Sequence, residues 1–362
     1  MFRKMLVASA AAAMAAPGAF AQQASASSVR MYGIVDIGIE SARASGSATT
    51  TKLTSLASGS NAASRLGFDA REDLGGGMYA GARLEYGFDA DTGTPTSAIK
   101  FFNRGSFVNL GGSWGELRLG REYTPSFYVL QQGDINGLNL YGNAGTFTQL
   151  GRNGFTRSDN SINYISPTFA DLTVRLGYSI GDESPVPPRD SGRTVGLSVA
   201  FKRESLMLAG FYQARSDVFP ASTLHAEKTT FAGIVGRWDE PGYSIGGGAA
   251  RWNPAGPESA AAGTLSSWWI GGAVKFGLGE IRAQYGKLRA GTTSAIEPEG
   301  SLYSVSYLYS LSKRTTLYAS YGSLDNNATG AFRLEASSRV VALPIAAGLD
   351  TKALTLGITH RF

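Results

Sequence analysis

The 362-residue sequence contains no cysteine and only two histidines, His225 and His360. A disulfide framework and a thiolate metal site are therefore excluded, and a zinc centre would be short of ligands. Charge is sparse as well. Only 17% of residues are Asp, Glu, Lys or Arg, and the formal net charge of +5 is dispersed without a Lys/Arg run, so no nucleic-acid footprint is indicated. No cofactor is implied. What the sequence holds in excess is glycine, 47 residues, and aromatic side chains, 5 Trp, 16 Tyr and 18 Phe. The glycines follow no Gly-X-Y period, which excludes collagen, and an apolar share of 43% argues against disorder.

Arg3 and Lys4 precede an apolar run from Met5 to Ala16, and Ala19-Phe20-Ala21 follows with the small-x-small pattern that signal peptidase accepts. A run of about 12 residues is too short for the roughly 20 that span hydrocarbon as a helix. Residues 1–21 therefore read as a cleaved export signal and residues 22–362 as one mature domain. No later apolar stretch is long enough for a membrane helix, but that leaves membrane strands open.

Those strands are indicated by a period of two. Met78, Ala80, Ala82, Leu84, Tyr86 and Phe88 alternate with Tyr79, Gly81, Arg83, Glu85 and Gly87, so one face is apolar and the other polar or small. The same alternation recurs through Leu172–Ile180, Val195–Phe201 and Tyr303–Tyr309, and through Leu354, Leu356, Ile358, His360 and Phe362 at the end of the chain. Between such segments, short connections take turns with long ones. The short ones fall near 73–77, 111–115, 167–171, 202–205, 239–242, 277–279 and 311–314, most of them rich in Gly, Pro or Asp. Long ones are expected near 42–62, 89–102, 123–158, 183–192, 217–228, 254–264, 290–299 and 324–350. Seven turns and eight loops separate sixteen strands.

A soluble two-sheet sandwich also produces alternating strands. It would need polar faces outside and apolar faces within, whereas here the polar faces carry Arg, Glu, Gly, Ser and Thr in an aromatic-rich chain. An even-numbered barrel with short turns at one rim and long loops at the other accounts for the pattern better. The expected fold class is all-β: a 16-stranded antiparallel transmembrane β-barrel.

Six stretches carry a more specific signal: SSVRMYGIVDIGIE from Ser27, SRLGFDAREDLGGGMYA from Ser64, GELRLGREYTP from Gly115, NSINYISPTFADL from Asn160, YSLSKRTTLYASY from Tyr309 and GITHRF from Gly357. In this order they resemble the general diffusion porins of the betaproteobacterial and neisserial type, over the whole mature chain. The resemblance implies a homotrimer in the cell outer membrane that passes small hydrophilic solutes and inorganic ions passively, with outer-membrane lipid and the assembly machinery as further partners. It also implies a third loop folded into the lumen as a constriction. Phe362 resembles the terminal aromatic by which the assembly machinery recognises such barrels.

The segment from about Tyr123 to Ser158 has the place of that loop. It is too long for an unstructured connection, and Phe127, Tyr128, Leu130, Leu138, Leu140, Tyr141 and Phe147 suggest that it packs against the inside of the wall. Three arginines carry over to the family's lumenal basic cluster: Arg65, Arg104 and Arg157. Parity aims Arg65 and Arg157 at the lumen, but Arg104 shares parity with Val108 and Leu110, which should face lipid. Either the strand is bulged there or Arg104 lies above the hydrocarbon, because a cation at the lipid midplane costs about 2–4 kcal/mol. Opposing acids are few: Asp134 within the loop, with Glu122 and Asp159 at its borders. Such scarcity favours anions, so weak anion selectivity is expected. Tyr32, Arg83, Glu85 and Arg118 are further pore-lining candidates by parity.

Other classes fit less well. Serine hydrolysis needs a base beside its nucleophile, yet His225 falls in an expected external loop and His360 on the lipid-facing parity, so no catalytic site is assigned. A substrate-specific channel would line its path with a continuous aromatic track, and the lumenal-parity aromatics are scattered.

Overall fold

The computed structural model describes residues 27–46, 50–150, 154–181, 183, 191–217, 227–256, 263–292, 295–337 and 339–362. The expected leader and His225 lie outside the described residues. The first strands are β1 (Ser28–Ser45), β2 (Thr50–Ser58), β3 (Arg65–Gly75), β4 (Met78–Gly87), β5 (Gly105–Gly112) and β6 (Gly115–Tyr123). Two helices follow, α1 (Pro125–Gly133) and α2 (Ala144–Thr148). Next come β7 (Arg157–Ile165), β8 (Leu172–Ser179), β9 (Thr194–Arg203), β10 (Leu206–Asp217), β11 (Glu227–Asp239) and β12 (Tyr243–Asn253). The chain ends with β13 (Thr264–Phe276), β14 (Gly279–Gly291), β15 (Glu299–Ser310), β16 (Thr315–Asn326), the two-residue strands β17 (Glu335–Ala336) and β18 (Arg339–Val340), and β19 (Asp350–Arg361).

The sheet closes on itself, since β1 pairs antiparallel with β19 from Ile34↔Arg361 to Ser45↔Asp350. Both β2 and β3 run antiparallel to β1, β2 along Ile37–Ser45 and β3 along Ser28–Ile34, and so share one position around the ring. The barrel thus has sixteen positions. The expected long connection at 42–62 is largely strand: Ala42 and Ala44 continue the inward-facing series, buried opposite Ala353 and Thr351, while Arg43 continues the exposed one. The break falls instead at residues 59–64, which turn inward through Gly59 at φ 77°.

Alternation sorts the wall as lipid requires. Leu172, Leu176, Tyr178, Val195 and Leu197 are exposed on the outside, whereas Ser198, Ser306, Ser320, Thr355 and Thr359 are buried inside. Trp238, Tyr243, Phe276 and Tyr309 lie outward at the short-turn ends of their strands, where an aromatic girdle meets the interface.

The apolar core sits within the lumen. Thr124 caps α1 by accepting from the Phe127 N–H at 3.3 Å, and Pro125 occupies the first turn, where its missing N–H costs nothing. Asn143 caps α2 through the Thr146 N–H. The loop carrying both helices packs Leu130, Tyr141, Phe147 and Phe155 against Phe231, Trp269, Leu302 and Leu324 of the wall. Phe147 stacks on Trp269 and Phe155 on Phe231. Only this third loop is expected inside from the sequence, but the connection from β16 to β19 also folds in, burying Phe332, Leu334 and Val341 in the same cluster.

Candidate pore constriction

Lumenal carboxylates of β1 fix the two inward loops. Glu40 is fully buried and accepts from Arg339 through both guanidinium nitrogens, at 2.6 and 2.8 Å, and from the Tyr141 hydroxyl. Asp36, equally buried, accepts from Tyr318 at 3.0 Å, from Thr359 and from the Asn61 N–H of the inturned segment. That segment in turn receives the third loop, with the Leu140 N–H donating to the Ser60 carbonyl at 2.8 Å. Helix α1 lies along β8–β12 and α2 along β12–β14. With these sectors covered, the open side of the lumen is the wall of β3–β7.

There the three expected arginines converge. Arg65, Arg104 and Arg157 line one cavity of about 240 Å³ together with Tyr123 of the wall, Gln131, Asn139 and Asn143 of the third loop, and Ser337 of the last loop. Arg104 donates to Glu85 Oε1 at 2.8 Å and to the Tyr123 hydroxyl at 2.8 Å. Arg157 donates to the same hydroxyl and to the Arg104 carbonyl, with its guanidinium 4.1 Å from the centre of the Tyr123 ring. Arg65 is held by the Ala63 carbonyl at 2.9 Å and lies 3.9 Å from Glu85. Tyr123 is itself stacked on Phe127 of α1, so the helix props the ring that spaces two guanidinium groups.

The parity conflict at Arg104 resolves through the end of β5. Strand pairing stops at Gly105↔Glu85, and Arg104 sits on a bend beyond it, 7% exposed and turned to the lumen. Val108 and Leu110 keep the lipid face, as alternation requires.

None of the three expected acids pairs with these arginines, although Glu122 accepts from the Tyr123 N–H at 2.7 Å. Asp134 is completely buried at the C-terminal end of α1, where its carboxylate accepts from the Leu138 N–H at 2.6 Å and Gln284 at 2.8 Å. Burial pushes that carboxyl above its ordinary range, against the pull of these donors. Its task is to fasten the loop. Glu122 accepts from Arg118 at 2.6 Å and from Tyr128 at 2.8 Å. Asp159 accepts from Lys100 and Arg121, because β7 bulges opposite Arg121 and carries it away from Arg157. The acid that does meet the arginines is Glu85, which also accepts from Tyr32 at 2.8 Å. Glu335 of the last loop also lines the cavity, so three guanidinium groups stand against two carboxylates and leave it basic.

Arg83 and Arg118 stand beside this group. Arg83 is paired with Asp69 at 3.0 Å and Arg118 with Glu116 at 2.9 Å, and both guanidinium groups lie over Phe107. A second cavity, of about 330 Å³, opens on the other side of α1, lined by Tyr128, Gln132, Arg175, Lys202, Arg237 and Asp239. Lys202 and Asp239 lie at the short-turn ends of their strands, so this cavity sits toward the short-turn rim. It too holds more cations than anions.

A closed barrel, two infolded loops and a charged neck between them are the parts of a diffusion pore, and the Gram-negative porin family profile matches residues 8–329. The chain belongs to the Gram-negative porin family. Outer membrane porin protein 32 of Delftia acidovorans is 29% identical, over 97% of this chain and 98% of that protein. The major outer membrane protein P.IB of Neisseria gonorrhoeae is 27% identical, over 88% of this porin and 94% of the relative. Among solved structures, an anion-selective porin from Comamonas acidovorans superposes with a TM-score of 0.79 at 26% identity, covering 93% of this chain and 100% of that one. The trimer form of OmpT from Vibrio cholerae shares the fold, with a TM-score of 0.66 at 14% identity over 93% of this chain and 100% of that one. This porin is a channel of the outer membrane, open to small hydrophilic solutes by diffusion.

Proposed function

We propose that this porin is a homotrimeric, weakly anion-selective channel whose constriction is formed by Arg65, Arg104 and Arg157 with Glu85 as their counter-charge. The observation that carries the reading is the shared cavity in which three guanidinium groups outnumber the two nearby carboxylates, Glu85 paired with the arginines and Glu335 of the last loop in the lining. Guanidinium stays ionised at any physiological pH. A narrow neck between low-dielectric walls focuses that charge on a permeating ion. The anion-selective porin from Comamonas acidovorans, alike over its full length, supports the same direction. His360 lies on the outer wall against Thr315. Phe362 remains the candidate assembly signal. Its backbone exchanges two 3.1 Å hydrogen bonds with Gly33 while its ring is left accessible outside.

Reversal potentials under a potassium chloride gradient test the proposal. The wild-type channel is expected to favour chloride, and Arg65→Gln with Arg157→Gln to lower the chloride-to-potassium permeability ratio. An unchanged ratio in that double variant overturns the assignment of these residues.

A further inference from the structure

The charge balance of the neck depends on an irregularity in one strand pair. Unbroken alternation along β7 would put Arg157, Asp159, Ser161 and Asn163 on one face. Ser161 and Asn163 are indeed buried inside, and Ile162 between them is exposed on the outer wall. Along β6, however, Gly120 pairs with Ser161 and Glu122 with Ser158, so Arg121 alone spans Asp159 and Asn160. The extra residue reverses the phase of everything above it. Paired residues share a side of the sheet, so Ser158 takes the lumenal side with Glu122, which Arg118 and Tyr128 hold from within. Asp159 falls to the side of Arg121, whose parity is that of Leu119 on the outer wall, and it is bound there by Arg121 and Lys100.

Two residues write the bulge into the sequence. Asn160 sits at φ 49°, in the left-handed region that asparagine tolerates and β-branched residues avoid. Its side-chain amide donates to the Gly181 carbonyl at 3.0 Å, and its own carbonyl accepts from the Ile180 N–H at 3.1 Å. The bulged residue is thereby pinned to the chain just beyond β8. Across the pair, Gly120 has φ 136°, and a Cβ there would lie 2.2 Å from the Ser106 carbonyl oxygen. The Ser161 hydroxyl donates to the Gly120 carbonyl at 2.6 Å and locks the rung below. Without the bulge the ladder would run on with Asn160 opposite Arg121 and Asp159 opposite Glu122. The Asp159 carboxylate would then enter the lumen two residues, about 7 Å, along the strand from Arg157.

We propose that the Asn160 bulge is a selectivity determinant. By rotating Asp159 out of the pore it withholds a third carboxylate, which beside Glu85 and Glu335 would equal the three arginines in number. The proposal rests on the reading of Arg65, Arg104 and Arg157 as the constriction. Asn160 acts through Asp159 and is a positioning residue.

Reversal potentials under a potassium chloride gradient test it. Asn160→Val, disfavoured at positive φ, should slip the register and lower the chloride-to-potassium ratio about threefold, the effect of a unit charge about 7 Å away at close to bulk dielectric. Asp159→Asn in that background should restore the wild-type ratio, and Asp159→Asn alone should leave it unchanged. Asn160→Gly retains the left-handed residue and should retain the ratio. If Asn160→Val does not fold, Ser158→Asp with Asp159→Ser moves the carboxylate to the lumenal side at constant net charge with the bulge in place. It should lower the ratio by the same factor. An unchanged ratio in either acid-inward variant, or a fall in Asn160→Val that Asp159→Asn does not reverse, overturns the proposal. So does a ratio that rises in Asp159→Asn alone, because the carboxylate would then already act on the pore. The two readings fail separately: a ratio that drops in Arg65→Gln with Arg157→Gln but not in the acid-inward variants sinks the bulge alone, and the reverse sinks only the arginine assignment.

Discussion

In the proposed constriction a single side chain, Glu85, meets most of the charged partners. It is the carboxylate shared by Arg104, Arg65 and Tyr32, and alternation already aims it inward. Replacing it with Gln keeps an acceptor for Tyr32 but removes the negative charge paired with Arg104 and Arg65. The chloride-to-potassium ratio should rise, by up to about fivefold if a unit charge near 4 Å acts at close to bulk dielectric. Reversal potentials measure the change, and an unaltered ratio would show that Glu85 is structural. Parity along single strands was enough to read Arg65 and Glu85 as lumenal, whereas Arg157 reaches the cavity from beyond the bulge of β7. It misdirected at Arg104, where the strand stops one residue short, and at Asp159, where a bulge resets the alternation. It says nothing of Asp134, because a loop has no period to read.

At the scale of elements, the inward loops behave as a packed core rather than as flaps. Tyr141, fully buried in the third loop, bonds Glu40 and Thr355, and the last loop ties to the same Glu40 through Arg339. Breaking a buried pair of this kind costs about 3–5 kcal/mol where one charge is left unpaired. Arg339→Ala should therefore loosen residues 327–349, raising single-channel conductance and its open-state noise in planar bilayers. A quiet channel of wild-type conductance would contradict a positioning role for this pair. The third loop was legible from its length and aromatic content. The last loop offers a similar signal in Phe332, Leu334, Val340, Val341 and Leu343, but their spacing follows no strand or helix period, and only the buried partners on β1 and β16 reveal where they go. The short helices were missed for a related reason: α2 is too brief for its pattern to show.

For the molecule as a whole, polar residues and an apolar plug share the inside while hydrocarbon-facing residues cover the outside. The number of strands, their alternation and the two kinds of connection were readable because the membrane imposes one period on every strand. The break at residues 59–64 was not, since it preserves the alternation on either side. Because the neck's cations are guanidinium groups, the permeability ratio should stay flat from about pH 6 to 9. A steep change there, in the same reversal-potential measurement, would point to a titrating group in control.

The inward break has a consequence for the order in which the wall opens. Among the described residues β2 pairs with β1 alone, whereas β3 bonds both β1 and β4. From Thr50 to Ser58 the wall is hydrogen-bonded along one edge only, so half of its amides have no strand to protect them. In hydrogen–deuterium exchange of the folded barrel, β2 should label well before β1 or β3. It is the seam from which unzipping of the ring would begin.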